Sequence, residues 1–156
     1  MNLNAIVNEV LTELFKGYIE HGGTPIFDVT EIIKKHGENP HEIGKYLVDS
    51  GVVKNQQFRP TGFGASISMR GIESIKPDYL EDNLNTIIST LGETGTPSIM
   101  EILEFEPKDY QLAFDMAKYL EGKGLIEAHF RHNDVLIKLS LTGREYYENN
   151  NAYFFS

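Results

Sequence analysis

An internal repeat is the feature of this sequence that most restricts its fold. Three segments of the first half return in the second half at a nearly constant offset: 23–25 at 95–97, 44–53 at 117–126, and 67–71 at 139–143. Three anchors at nearly one offset predict two similar structural units. We place these units at residues 1–76 and 77–156. A unit of about 70 to 80 residues is near the lower limit for an independent core, so we expect each unit to be stabilised by the other.

The composition restricts the class of protein. An apolar fraction of 40% and a charged fraction of 24% are ordinary for a soluble globular chain. The lack of cysteine excludes disulfides and cysteine-ligated zinc. No apolar run approaches the roughly 20 residues of a membrane span, and the first residues lack the basic and apolar regions of a signal peptide. We therefore expect a cytoplasmic protein with no membrane partner, no metal and no cofactor.

Charge is distributed unevenly between the two predicted units. Residues 1–76 hold 8 Lys and Arg against 9 Asp and Glu, whereas residues 77–156 hold 6 against 14. Clustered positive charge is what attracts a phosphate backbone, so the acidic second unit is expected to bind nucleic acid poorly. An acidic surface also keeps a small domain in solution, and the imbalance by itself identifies no partner.

Hydrophobic periodicity and capping residues predict the same order of elements in both units. In the first unit, apolar residues from Ile6 to Ile19 recur at helical spacing. Two more helices follow, the second with Asn39 as its N-cap and Pro40 at its first position. A hairpin and a short closing helix complete the unit. Residues 58–64 contain a proline and glycines, so they are expected to form the loop of the hairpin.

Some local expectations concern the hairpins and the end of the chain. Ser68 and Thr142 are expected to cap the helices that leave the two hairpins. Of the aromatic residues beside the first hairpin loop, Phe58 is expected in the core, and Phe63 is left open between core and surface. The aromatic residues near the end of the chain are interpreted either as a loose tail or as a seal between units or subunits: Tyr153, Phe154 and Phe155.

The order of these elements resembles a winged-helix domain, in which three helices carry a β-hairpin called the wing. Residues 118–126 (KYLEGKGLI) resemble the end of the recognition helix and the first wing strand. Residues 139–145 (LSLTGRE) resemble the exit from the wing in bacterial regulators. The resemblance covers nearly the whole chain and implies an α+β, mainly helical fold of two tandem winged-helix domains. It also implies that a third helix enters the major groove of DNA while the hairpin touches the backbone or the minor groove.

If the first unit binds DNA, its second helix, third helix and hairpin supply the contacts. Five cations are expected to contact phosphates: Lys34, Lys35, Lys45, Lys54 and Arg59. His41 and Tyr46, on the third helix, are expected near base edges. A plainer interpretation stays open, because lysines at the end of a helix favour its negative dipole end and scattered charges are ordinary on a surface.

Two functions follow from this reasoning. The first is a non-enzymatic, transcription-regulator-like protein whose first unit binds DNA while the second dimerises or binds a protein. The alternative is a protein–protein interaction adaptor that uses winged-helix domains without DNA affinity. Little points to an enzyme. His129 and His132 need not face the same way on a strand and its turn, and residues 62–64 (GFG) lack the lysine and the helix of a phosphate-binding loop.

Overall fold

The chain folds into two compact units that divide between Pro77 and Asp78. The computed structural model describes residues 2–23 and 25–150, so the aromatic residues at 153–155 lie outside the described part. Each unit combines helices with a small antiparallel sheet. The expectation of a mainly helical α+β fold is therefore confirmed.

The first unit builds a three-stranded sheet among four helices in its described residues. In chain order its elements are α1 (Leu3–Glu20), β1 (Phe27–Asp28), α2 (Thr30–Lys35), α3 (Pro40–Asp49), β2 (Val53–Arg59), β3 (Gly62–Ile67) and α4 (Met69–Ile75). β3 lies between β1 and β2 and is antiparallel to both. All six residues of β3 are buried, because α1 and α3 pack against it and strands cover both of its edges.

The third helix of the first unit begins and ends by local rules. The side-chain oxygen of Asn39 accepts hydrogen bonds from the backbone N–H groups of His41 and Glu42, at 2.8 and 3.2 Å. Pro40 occupies the first helical position. A backbone N–H at that position would have no acceptor within the helix, so proline costs no hydrogen bond there. Gly51 follows the helix with a φ of 73°, a conformation that glycine adopts without steric penalty. The predicted N-cap is confirmed.

The first hairpin is tighter than the sequence predicts. Arg59 pairs with Gly62, so that Pro60 and Thr61 alone form the turn between β2 and β3. Most of the loop expected over residues 58–64 is therefore strand, and that expectation is wrong. Gly62 and Gly64 lie in the central strand, where a Cβ added to Gly62 would be 2.4 Å from Thr30 Oγ1 and one added to Gly64 would be 3.1 Å from the Phe27 carbonyl oxygen.

The aromatic pair beside this turn shows how β3 packs. Phe58 and Phe63 are directly opposite each other, with ring centroids 5.0 Å apart. Phe63 is fully buried against Gly44 of α3, whose added Cβ would come within 2.5 Å of the ring. Phe58 is 49% exposed, because it lies on the outer strand of the sheet. The expectation that Phe58 belongs to the core is wrong, and Phe63 takes that place.

The second unit follows the same order of helices and hairpin. Its elements are α5 (Pro77–Thr94), α6 (Ile99–Ile102), a 3₁₀ turn (Pro107–Asp109), α7 (Tyr110–Gly122), β4 (Ile126–Phe130), β5 (Val135–Leu139) and α8 (Leu141–Asn150). Where the first unit has β1, the second has a single bridge between Ser98 and Leu136 of β5. β4 pairs with β5 in uninterrupted antiparallel register.

The exits of the two hairpins are built from the same contacts. Ser68 Oγ accepts a hydrogen bond from the Gly71 N–H at 3.1 Å and donates one to the Gly51 carbonyl oxygen at 2.7 Å. Ser140 forms both bonds again, with the matching residues Gly143 and Gly124 of the second unit. Ser140 is thus the cap of α8, and the expectation for Thr142 is wrong, because the helix begins directly after the serine.

Candidate nucleic-acid interface

Three of the seven predicted contact residues meet at the tip of the first hairpin. The His41 imidazole forms a hydrogen bond with the backbone carbonyl oxygen of Arg59, which joins the start of α3 to the end of β2. Lys34 lines a cleft of about 300 Å³ together with His41, and a neighbouring cleft of about 450 Å³ together with Arg59. The tip therefore presents two cations and an imidazole beside the first turn of α3.

The two residues predicted near base edges lie on different sides of α3. Tyr46 follows His41 by five residues, which corresponds to about 140° around the helix. Lys45 follows His41 by four residues and lies only about 40° from it. Tyr46 is 43% exposed, but its position puts it on the flank away from His41. The structure does not bring the tyrosine and the histidine together on one stripe of α3.

The predicted phosphate contacts do not form a continuous positive surface. Lys54 lies with its ammonium nitrogen 5.5 Å from the centre of the Tyr18 ring on α1. Lys34 forms no ion pair with any residue that the structure describes. The other three cations each pair with a carboxylate of the first unit: Lys35 with Glu9, Lys45 with Asp49 at 3.2 Å, and Arg59 with Asp28 at 3.1 Å.

Local contacts keep two of these carboxylates charged. Hydrogen bonds from the side chain and backbone of Thr30 hold the pKa of Asp28 below its usual value, and Arg59 and Lys34 act in the same direction. Contacts with the lysine and histidine at the end of α2 lower the pKa of Glu9. At neutral pH, both carboxylates therefore offset the positive charge that a phosphate backbone would meet.

The matching surface of the second unit is covered by aromatic rings. Phe114 of α7 and Phe130 of β4 hold the positions that a histidine and a phenylalanine hold in the first unit, and their ring centroids are 4.5 Å apart. Lys118, the counterpart of Lys45 in the repeat, lies over both rings, at 5.8 Å from the first and 4.7 Å from the second. Its ammonium group is also 3.8 Å from a carboxylate oxygen of Glu121, so its partners lie within the second unit.

Sequence reasoning missed the acidic partners of the cations. Glu9 and Asp28 lie 26 and 31 residues before the cations with which they pair, and no periodicity links positions so far apart. The pairing of Lys45 with Asp49 did have a signal, because residues four apart are neighbours on a helix.

The structure also bears on metal and membrane binding. Within residues 2–23 and 25–150, no group of three His, Asp or Glu side chains is placed to hold a metal ion. His129 lies in β4, and His132 lies in the turn that follows it. Every helix in the same part of the chain is too short or too polar to cross a membrane.

Comparisons with known proteins leave the family open. No protein-family model matches the sequence, and no curated protein matches it. One solved structure with detectable similarity is that of a conserved hypothetical protein from Chlorobium tepidum. The two chains are 11% identical with a TM-score of 0.33, over 90% of this chain and 98% of the other. A likeness at this level supports no conclusion about fold or function.

Proposed function

We propose that this chain is a non-enzymatic tandem winged-helix protein that acts as a protein-binding adaptor. The order of elements supports the winged-helix assignment: helix, short strand or bridge, two helices and a hairpin occur in both units. The spatial strand order β1-β3-β2 in the first unit agrees with a wing that returns beside the first short strand. One fold hosts many activities, so the function is argued from the surface.

The observation that carries the adaptor proposal is the interrupted charge of the first unit. At least three of the five cations that would contact phosphates already have carboxylate partners. Counterion release, the main driving force of DNA binding, requires clustered uncompensated positive charge. The first unit also exposes Phe58, beside His41, and Tyr46, on the other flank of α3, and aromatic residues are enriched at protein–protein interfaces. This combination suits a protein partner better than a phosphate backbone.

DNA binding by the first unit is the second candidate. It is favoured by Lys34, which has no ion-pair partner among the described residues and lies beside the exposed start of α3. Surface ion pairs contribute at most about 1 kcal/mol, so a phosphate backbone can compete for Arg59 and Lys45. Under this candidate, Lys34→Glu weakens binding and reduces its dependence on salt.

Fluorescence anisotropy with mixed-sequence duplex DNA at low salt separates the two candidates. The adaptor proposal expects no binding by the unaltered protein. It also expects the triple variant Glu9→Gln, Asp28→Asn, Asp49→Asn to gain salt-sensitive binding, because three cations lose their partners. Asparagine at 28 keeps the side-chain oxygen that accepts from the Thr30 N–H.

The matched control neutralises three carboxylates of the second unit. This control carries Glu101→Gln, Glu104→Gln and Glu106→Gln. Its change in net charge is the same as that of the triple variant, but it releases no cation near α3, so no gain in DNA binding is expected. Salt-dependent DNA binding by the unaltered protein, weakened by Lys34→Glu, would contradict the adaptor proposal and establish the second candidate.

A further inference from the structure

The two hairpins differ at their outer strands. β2 and β4 each form the outer edge of their sheet. β2 contains a bulge, in which Asn55 and Gln56 together face the single residue Ala65, and Asn55 has a φ of 54°. β4 has no such irregularity: all five of its residues pair in register with β5. Bulges are a common device that prevents an edge strand from pairing with another chain, and β4 lacks it.

The backbone of β4 presents alternate residues toward its outer edge. The Ala128 N–H donates to a carboxylate oxygen of Glu121 at 3.4 Å, so it points away from β5. In an antiparallel ladder, hydrogen-bonded and non-hydrogen-bonded pairs alternate. Ile126 and Phe130, two residues to either side, therefore also direct their N–H and C=O groups outward. Three residues of β4 are in position to bond a further strand.

We propose that β4 pairs antiparallel with β4 of a second copy of this chain, around a twofold axis at Ala128. In this register Ala128 faces its own copy, and Ile126 faces Phe130 of the second copy. All three pairs lie at positions whose backbone groups point outward, so the pleat of the two strands agrees with the symmetry. A twofold pairing uses the same surface on both subunits, as isologous dimers require.

The side chains on the exposed face of β4 complement each other in this register. Glu127 and His129 are both exposed, and each lies opposite the other residue type in the second copy. A carboxylate accepts a hydrogen bond that an imidazole N–H donates, so two such pairs form across the axis. Lys138, which pairs with Glu127 at 3.3 Å on the neighbouring strand, extends the row with alternating charge.

Glu121 covers the edge in the single chain. Its carboxylate accepts one long hydrogen bond from Ala128, where the second copy would place a backbone carbonyl oxygen. Glu121 also forms an exposed ion pair with Lys118 at 3.8 Å, and such pairs contribute at most about 1 kcal/mol. Moving this side chain aside exchanges that ion pair and one long hydrogen bond for a pair of strand hydrogen bonds. Glu121→Ala is therefore expected to strengthen self-association.

Sedimentation equilibrium of the full-length chain, over a range of protein concentrations, tests the proposal. The unaltered chain is expected to show a reversible monomer–dimer equilibrium. His129→Glu places like charges opposite each other twice, which raises the dissociation constant about tenfold. The double exchange Glu127→His, His129→Glu again sets a carboxylate opposite an imidazole and returns the dissociation constant to that of the unaltered chain.

The matched control lies on the bulged strand of the first unit. Gln57→Glu changes an exposed residue of β2 by the same charge as His129→Glu changes β4, and it is expected to leave the equilibrium unchanged. Far-UV circular dichroism confirms that each variant stays folded. These positions are exposed, so folding is expected to be retained.

Three results would each overturn the proposal. The first is a chain that remains monomeric at every concentration. The second is a dimer that His129→Glu does not weaken. The third is a dimer weakened by His129→Glu that the double exchange does not restore. The measurement uses the purified chain without DNA or other proteins, so its outcome is separate from that of the function proposed above.

Discussion

Lys45 and Lys118 hold matching positions on α3 and α7, yet their ammonium groups have different partners. Lys45 pairs with Asp49, one turn later on the same helix. In the second unit the position of that aspartate is Gly122. Lys118 lies over two phenylalanine rings, and its ammonium group is 3.8 Å from a carboxylate oxygen of Glu121, three residues later on α7. The comparison shows that the repeated lysine pairs with a carboxylate in both units, and that in the second unit it also covers two aromatic rings. A repeated sequence therefore specifies the fold of both units without specifying the same surface.

The hairpins provide a second comparison. The offset between the units is larger by one between Val53 and Ile126 than between Phe58 and Phe130. This difference is the bulge in β2, where the first strand holds one more residue than its counterpart. The bulge leaves the rest of the register intact in both hairpins, because an antiparallel pair absorbs an extra residue locally.

The largest predicted effect comes from breaking a close contact that occurs within each unit at the exit of its hairpin. An added Cβ at Gly143 would collide with the Leu125 carbonyl oxygen, and one at Gly71 with the Val52 carbonyl oxygen. Because backbone atoms cannot move aside cheaply, Gly143→Ala and Gly71→Ala are each expected to lower the free energy of unfolding of their own unit by about 2 to 4 kcal/mol. Denaturant-dependent hydrogen exchange, read separately for peptides of each unit, measures this.

A third glycine is the control for this pair of variants. Gly122, at the end of α7, has nothing within 4 Å of an added Cβ. Gly122→Ala is expected to stabilise the second unit by up to about 1 kcal/mol, through higher helix propensity. Equal losses at Gly122 and Gly143 would show that helix propensity, rather than the close approach of the hairpin exit, explains the result.

An intermediate effect is predicted at a helix–strand contact where matching residues of the two units differ in size. Gly44 faces Phe63 in the first unit, and the matching buried residues of the second are Ala117 and Val135. Gly44→Ala overpacks the ring and is expected to cost about 1 to 3 kcal/mol. Adding Phe63→Val should recover at least about 1 kcal/mol relative to the sum of the single changes.

Urea unfolding of the two single variants and the double variant measures this coupling. Strict additivity would mean that the helix and the strand do not share this space. The pairing of a small helix residue with a large strand residue would then be a coincidence of the repeat.

The smallest predicted effect concerns the two matching lysines. Lys118→Ala is expected to destabilise the second unit by about 0.5 to 1 kcal/mol, because it removes a cation from the face of two rings as well as an exposed ion pair with Glu121. Lys45→Ala removes a single exposed ion pair and is expected to cost the first unit only about 0.3 to 0.5 kcal/mol. Unit-resolved hydrogen exchange compares the two. A larger cost for Lys45→Ala than for Lys118→Ala would contradict the assignment of partners.

The predictions made from the sequence succeeded where the deciding residues are neighbours in the chain. The Asn39 cap, the Ser68 cap and the apolar stripe of α1 depend on contacts within about one turn of helix. They failed where a distant residue decides. Phe58 is exposed and Phe63 is buried because of strand order. Gly64 lies in β3 rather than in a loop because it pairs with Asp28 of β1, which is 36 residues earlier in the chain.

The same distinction between neighbouring and distant residues applies to the candidate site. The sequence indicated the cations of the first unit and the acidity of the second, because net charge and residue type need no fold. It did not indicate that Lys35 and Arg59 are paired with carboxylates, since these lie 26 and 31 residues away. The pair between Lys45 and Asp49 had a local signal in its four-residue spacing, but the sequence analysis did not predict it either.

The amino-acid sequence by itself determined the order of helices and hairpin that recurs in the two units. Helix periodicity, capping and glycine placement act over a few residues, and they recur at nearly one offset. Only the tertiary structure decided which cations pair with distant carboxylates, which phenylalanine enters the core and which strand edge stays regular. Those properties depend on groups that folding brings together from distant parts of the chain, and packing and charge pairing act on distance in space rather than distance in sequence.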